Sequence, residues 1–280
     1  MRIGVCWKWV SLDNEIDPDR RWAGVSAADE AALEVALQLA AGGSTGVTVV
    51  TLGPPAADAV LRNALAVGAE SVIRVDASTE LGSLTVATAL SEHVRSCDVV
   101  VCGDYSPDRG TGSVPAFLAG ELGAAQALGL VSVDTGGSTA GDAASGPIRV
   151  VRRLDGGRRE VLDVPTPAVL SVEGSVARLR RASLAASLAS RSVPVTVTPG
   201  PHGRLPETEI HPYRPRARSL PAPTGDTLSR VRDILDVGGG NDHAEVITLD
   251  PPDAARRIVD QLHEWGYLDG GDSPVPSGSD

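Results

Sequence analysis

The stretch 97–123, CDVVVCGDYSPDRGTGSVPAFLAGELG, limits the fold more than any other part of this chain. Its apolar run Val99-Val100-Val101 ends in Cys102-Gly103 and reads as a buried strand. A helix is predicted from Ser113, with Pro115 in the first turn, where a missing N–H is harmless. Between them, Gly110-Thr111-Gly112-Ser113 offers bare backbone amides and two hydroxyls at a helix N-terminus, a place suited to a phosphate. The same residues also suit a plain strand-to-helix turn that only reverses the chain.

The segments before this stretch repeat its rhythm. Residues 2–9 read as a first strand, 11–25 as a polar loop, and Ser26-Ala27-Ala28-Asp29 as a capping box opening a helix with Ala32, Leu33, Ala36, Leu37 and Ala40 on one face. A second strand is predicted at 47–52, a helix opened by Gly53-Pro54-Pro55, a short strand at 71–75 and a helix at 84–94. Strand and helix alternating through short loops predict a doubly wound, mostly parallel sheet covered on both faces, a three-layer αβα fold. Further along, 128–133 and 168–172 read as strands. Residues 147–164 read as an antiparallel hairpin turning at Asp155-Gly156-Gly157.

From 194 to 223, prolines and arginines with little periodicity predict a linker or arm rather than a core element. Helical patterns at 226–237 and 252–265 flank a strand-like EVITL run, and the last residues read as a disordered tail. The expected organisation is therefore an α/β nucleotide-binding domain at 1–193, the arm at 194–223, a C-terminal extension at 224–268 and a tail at 269–280.

Charge and cysteine usage narrow the function classes. A net charge of −11 argues against general nucleic-acid binding, which needs a basic face. No run approaches the ~20 apolar residues of a membrane span, so no membrane insertion and a cytoplasmic location are expected. Cys97 and Cys102 lie at opposite ends of one strand, roughly 16 Å apart at ~3.3 Å per residue, too far to bridge each other or share a metal. Cys6 and Cys102 lie near the carboxyl ends of strands and are expected as buried free thiols. Nucleotide-hydrolase, dinucleotide-fingerprint, nucleophile-elbow and zinc-protease motifs are all missing, and the 5 histidines are scattered. No metal site and no catalytic constellation are predicted.

With the elements placed, the sequence resembles the β subunit of electron-transfer flavoprotein. The likeness begins at Lys8, the sole lysine, where the family carries a Val-Lys pair, and continues in Asp29-Glu30-Ala31-Ala32-Leu33-Glu34. It is most specific in TLGPPAADAVLRNALAVGAESVIRV at 51–75, and recurs in Thr111-Gly112-Ser113-Val114 with Leu118-Ala119 and Leu122-Gly123. Departures are Ser26-Ala27-Ala28 in place of Asn-Pro-Phe, a shorter 104–110 loop with Tyr105, and a different 176–184 segment. The departures and the long arm point, by resemblance, to an actinobacterial branch associated with the peptide-derived cofactor mycofactocin.

The resemblance implies a subunit without bond-making chemistry of its own. It would bind AMP structurally and pair with an FAD-bearing α subunit that holds the flavin, passing electrons from dehydrogenases to a downstream acceptor. Carried over by position, the AMP contacts would be Cys6, Lys8, Ser26, Asp29, Leu52, Gly53, Gly103, Asp104, Asp108, Gly110, Thr111, Gly112, Ser113 and Val114. Trp9, among Trp7, Trp9 and Trp22, would approach the flavin. Arg178, Arg180, Arg181 and Leu184 would dock a partner. The alternatives are a nucleotide-binding enzyme or an AMP-sensing module on the same fold.

Overall fold

The computed structural model describes residues 1–11, 23–41, 46–135, 146–203, 225–235 and 247–264. The chain divides into two units, Met1–Ile210 and His211–Asp280.

The first unit begins with strand β1 (Ile3–Trp7), helix α1 (Ala27–Ala41), β2 (Val47–Gly53), α2 (Asp58–Val67), β3 (Ser71–Asp76), α3 (Ser83–Val94), β4 (Val99–Gly103) and α4 (Val114–Leu122). It continues with β5 (Ala125–Val133), the hairpin β6 (Ile148–Arg153) and β7 (Arg159–Val164), β8 (Ala168–Val172), α5 (Leu184–Ser190) and β9 (Thr196–Pro199). These nine strands form one sheet in the order β7-β6-β5-β8-β4-β1-β2-β3-β9. Only the β5–β6 and β6–β7 pairings are antiparallel. Val-rich strands buried on both faces give this arrangement its two cores. Ile3, Val5, Val49, Val99 and Val101 face one side with the buried residues of α1 and α2, while Cys6, Val50, Val100 and Cys102 face the other with those of α3 and α4. The predicted three-layer α/β architecture is the observed one.

Three elements differ from the sequence reading. Helix α1 is buried well beyond the expected stripe, from Ala31 through Leu37 together with Ala28 and Asp29. The reason is a contact distant in sequence. The 176–180 segment lies over its outer side, where Glu34 accepts two hydrogen bonds from the Arg180 guanidinium at 2.8 and 3.0 Å. Residues 196–199, read as the start of an arm, instead form β9. It pairs parallel with β3 (Ile73 opposite Thr196) and is pinned to α3 by a 3.2 Å hydrogen bond between Thr198 and His93. β5 starts three residues earlier than predicted, because Ala125–Ala127 pairs with β8 before a bulge at Gly129.

In the second unit, α6 (Thr227–Leu235) and α7 (Pro251–Glu264) match the two helical patterns. Asp226 and Asp250 cap them by accepting from the N–H groups of Ser229 and Asp253 at 2.9 and 3.0 Å. The described part of the EVITL run, residues 247–249, is not strand. Among the described residues of this unit there is no strand for it to pair with. The remainder of the predicted arm at 204–223, the glycine-rich 136–145 insert and the tail from 265 onward lie outside the described residues.

Candidate functional site

Strand order fixes where a site can form. From β1 the chain steps outward to β2 and β3, then crosses back to place β4 on the other side of β1. The crevice beyond the carboxyl ends of β1 and β4 is therefore the topological switch point, the place where open parallel sheets bind ligands. A cleft opens there, walled by Cys6–Ser11 after β1, Cys102–Asp104 after β4, the loop through Val114, and the segment Thr79–Leu90 on α3 and the loop before it.

The cleft floor is tightly built around Asp29. Ser26 and Asp29 form the predicted capping box: Ser26 Oγ accepts from the Asp29 N–H at 3.0 Å and donates to the carboxylate at 2.9 Å. Trp7 Nε1 donates to the Asp29 carbonyl at 2.6 Å, and Thr51 Oγ1 donates to the Trp7 carbonyl at 2.6 Å, so α1 is keyed to β1 and β2. A Cβ on Gly103 would stand 2.8 Å from the Asp29 nitrogen, so only glycine lets β4 end this close to α1. Burial pushes the Asp29 carboxyl up to about 7, against the pull of hydrogen bonds from Ser26 and from the N–H groups of Lys8 and Gly103. With that carboxylate on its own first turn, α1 is not where an anion would sit.

The opposite wall has the reverse character. Neither α3 nor α4 has a side chain capping its first turn; Gly82 precedes one helix and Ser113 the other. Ser113 Oγ instead donates to Ser83 Oγ at 2.9 Å, and Thr111 Oγ1 lies 3.1 Å from Ser113 Oγ. Two helix N-termini with spare N–H donors and three linked hydroxyls thus meet in one cleft wall, an arrangement that favours a negative group. The loop's path is set by Gly112, whose φ of 58° is left-handed and whose Cβ would lie 2.7 Å from the Asp104 carbonyl. Lys8 Nζ holds the loop from one side, donating to Asp108 Oδ1 at 2.6 Å and Ser106 Oγ at 3.2 Å. Arg109 Nη1 holds it from the other, donating to the Leu81 carbonyl at 2.7 Å. Burial and the nearby Glu173 raise the Asp104 carboxyl above its ordinary value.

Of the residues singled out from sequence, Cys6, Lys8, Asp29, Leu52, Gly103, Asp104, Asp108, Thr111, Gly112, Ser113 and Val114 line this cleft. Trp9 lines it too, largely buried. Three others stand behind it. Ser26 serves Asp29, the Gly53 carbonyl accepts from Arg74 at 3.1 Å, and Gly110 packs against the Tyr105 ring. Arg178, Arg180 and Arg181 lie on the segment leading into α5 and Leu184 is its first residue, all outside the cleft lining; Leu184 is 76% exposed and Leu188, one turn on, 53%. Trp22 falls outside the described residues.

Sequence reasoning missed the α3 side of the cleft: Thr79, Leu81, Ser83, Val86 and Leu90. The Gly82-Ser83 helix start after a strand was the available signal, of the same kind as the loop before α4. Among the described residues, no group of three His, Cys, Asp or Glu side chains is placed to hold a metal ion. No helix among the described residues is long and apolar enough to cross a membrane.

Comparison with known proteins adds the following. The electron transfer flavoprotein domain family matches residues 17–201. The chain is 32% identical over 170 residues to the electron transfer flavoprotein subunit beta of Syntrophomonas wolfei, which covers 60% of this chain and 64% of that protein. It is 32% identical over 195 residues to the subunit of the same name from Mycobacterium tuberculosis, covering 66% and 70%. A similar likeness, 32% over 178 residues covering 59% and 60%, holds for protein FixA of Azorhizobium caulinodans.

Proposed function

This chain belongs to the electron transfer flavoprotein family, on its β-subunit side, and from that premise we propose that it is the nucleotide-binding half of a two-subunit flavoprotein. In this reading the switch-point cleft holds AMP as a structural ligand. An FAD-bearing α subunit carries the flavin, and the complex takes electrons from dehydrogenases and hands them to a downstream acceptor in the cytoplasm.

The observation that carries the reading is the cleft wall built from the uncapped starts of α3 and α4 with Ser83, Thr111 and Ser113. These groups suit a phosphate by N–H and hydroxyl donation, and Gly103 and Gly112 let the strand end and the loop take this path, since a Cβ at either would collide with the start of α1 or the Asp104 carbonyl. Asp108 is engaged by Lys8, which leaves Asp104 to accept from a ribose hydroxyl. Flavin, when bound by the partner, supplies the redox chemistry. This chain's residues position and enclose, with Trp9 the aromatic side chain offered toward the ring. No residue of the cleft is asked to break a bond.

The exposed pair Leu184 and Leu188, flanked by Arg178 and Arg181, is the docking face for the electron donor in this reading. Arg180 acts differently from its neighbours: it is committed to Glu34 and positions the segment. The arm and terminal helices from 199 to 268 would embrace the α subunit, extending the domain that precedes them. Co-expression with an FAD-binding α subunit tests the reading. The expected product is a yellow complex containing both chains in equal amounts; a colourless complex, or no complex, contradicts it.

A further inference from the structure

Cys6 and Cys102 occupy directly opposed positions on the adjacent parallel strands β1 and β4. Side chains at such matched positions project to the same face of the sheet, and neighbouring strands run about 4.8 Å apart. That spacing lies inside the Cα separation of roughly 4.4–6.8 Å that a disulfide accepts. The two thiols are both free and buried, and both line the cleft. Cys97 is set apart at the far end of the β4 segment, beside Gly4, and does not line the cleft.

We propose that Cys6 and Cys102 form a dithiol–disulfide redox site in the floor of the nucleotide cleft, closed by a peroxide that reaches them through the cleft. One sulfur, as thiolate, attacks the peroxide and breaks its O–O bond, giving a sulfenic acid and water. The second sulfur then attacks the first, forms the S–S bond and expels a second water. Two thiols and one hydrogen peroxide thus become one disulfide and two waters. A disulfide formed inside a cytoplasmic protein is of the transient, regulatory kind. The neighbouring Cys102 thiol, aided by burial, holds the Cys6 thiol well above the ordinary thiol range, so closure quickens as pH rises. That a bound nucleotide covers the pair rests on the function proposed above.

The full-length chain, reduced and then exposed to hydrogen peroxide, tests this by peptide mapping. The expected result is a Cys6–Cys102 linked peptide pair that dithiothreitol reverses, with Cys97 still free for alkylation. Saturating AMP should slow the linkage at least tenfold, and Cys102→Ser should abolish it. Linkage through Cys97, or stepwise oxidation of single cysteines with no Cys6–Cys102 bond, overturns the proposal. Linkage at an unchanged rate in a chain that demonstrably binds AMP overturns the placement of the pair beneath the ligand. A reduced chain that binds no AMP counts against the proposed function instead, and the linked peptide still decides the dithiol.

Discussion

Lys8 Nζ lies 2.6 Å from Asp108 Oδ1, joining the end of β1 to the middle of the loop between β4 and α4. The only lysine of the chain thereby spans the switch point and fixes one rim of the cleft. Lys8→Met should loosen that rim without unfolding the domain. Both partners are about a third or more exposed, so the stability loss should stay within about 1 kcal/mol. AMP affinity, measured by calorimetry, should fall several-fold. Burial raises the Asp108 carboxyl, but hydrogen bonds from Lys8 and Ser106 outweigh it and leave it below its ordinary value. A lowered acid contributes stability above the ordinary carboxylate range that is lost as pH falls through the folded value. The difference in Tm between wild type and Lys8→Met should therefore shrink below about pH 4. An equal difference at acid and neutral pH would argue against the pairing.

Asp29 behaves in the opposite sense. Its carboxyl is raised by burial to about 7, so the folded chain keeps a proton that the unfolded chain gives up nearer 4. Between those values the native state binds more protons, and stability falls as pH rises. Asp29→Asn keeps an acceptor for Ser26 but removes the titration. Thermal unfolding across pH 5–8 should show a flatter profile for the variant, which should be at least as stable as wild type at pH 8. A variant with the wild-type slope would show that Asp29 does not carry it.

Two glycines set the shape of the cleft. Gly103→Ala brings a Cβ to 2.8 Å of the Asp29 nitrogen and 2.9 Å of its carboxylate, against backbone that has no room to yield. A loss of about 2 kcal/mol is expected from urea unfolding, the usual scale of overpacking. Gly112→Ala is strained by its φ of 58° and meets the Asp104 carbonyl at 2.7 Å. Its effect should be confined to the loop: AMP binding lost, global stability changed by about 1 kcal/mol. A Gly112→Ala chain that binds AMP normally would remove the loop from the site.

Glu34→Gln addresses the segment before α5. The Glu34 carboxylate is nearly buried and is lowered despite burial, because the Arg180 hydrogen bonds, with that of Gln38, prevail. Its contribution is present above the ordinary glutamate range and lost as pH falls through the folded value. With Arg180 nearly half exposed, the expected cost is about 1 kcal/mol. The more telling readout is limited proteolysis: cleavage at Arg178, Arg180 or Arg181 should accelerate while the core stays resistant. Unchanged cleavage would show that the pair does not hold the segment down.

Much of the fold is legible because β1, β2, β4 and β8 are short, largely apolar runs, and the helices between them start with recognisable signals such as Ser26 with Asp29. Strand β9 escapes such reading. It is four residues between prolines, exposed at an edge, and exists because β3 offers hydrogen bonds and His93 a side chain. The width of the buried face of α1 is likewise invisible locally, since Arg180 arrives from 146 residues away. Within the site, strand ends and the loop before α4 declared themselves by glycines and hydroxyls. Thr79 to Leu90 became part of the cleft only through the winding that lays α3 beside α4, which no local pattern encodes. The same winding turns Gly53 away, toward Arg74.

Calorimetric titration of the chain with AMP, paired with thermal unfolding, tests most directly whether the switch-point cleft is an adenine-nucleotide site. Saturable binding of one AMP per chain is expected, with a Tm that climbs with ligand, equivalent to about 2.7 kcal/mol at a hundredfold excess over Kd. Both effects should vanish in Gly112→Ala. Absence of binding heat together with a Tm unmoved by millimolar AMP would contradict the account.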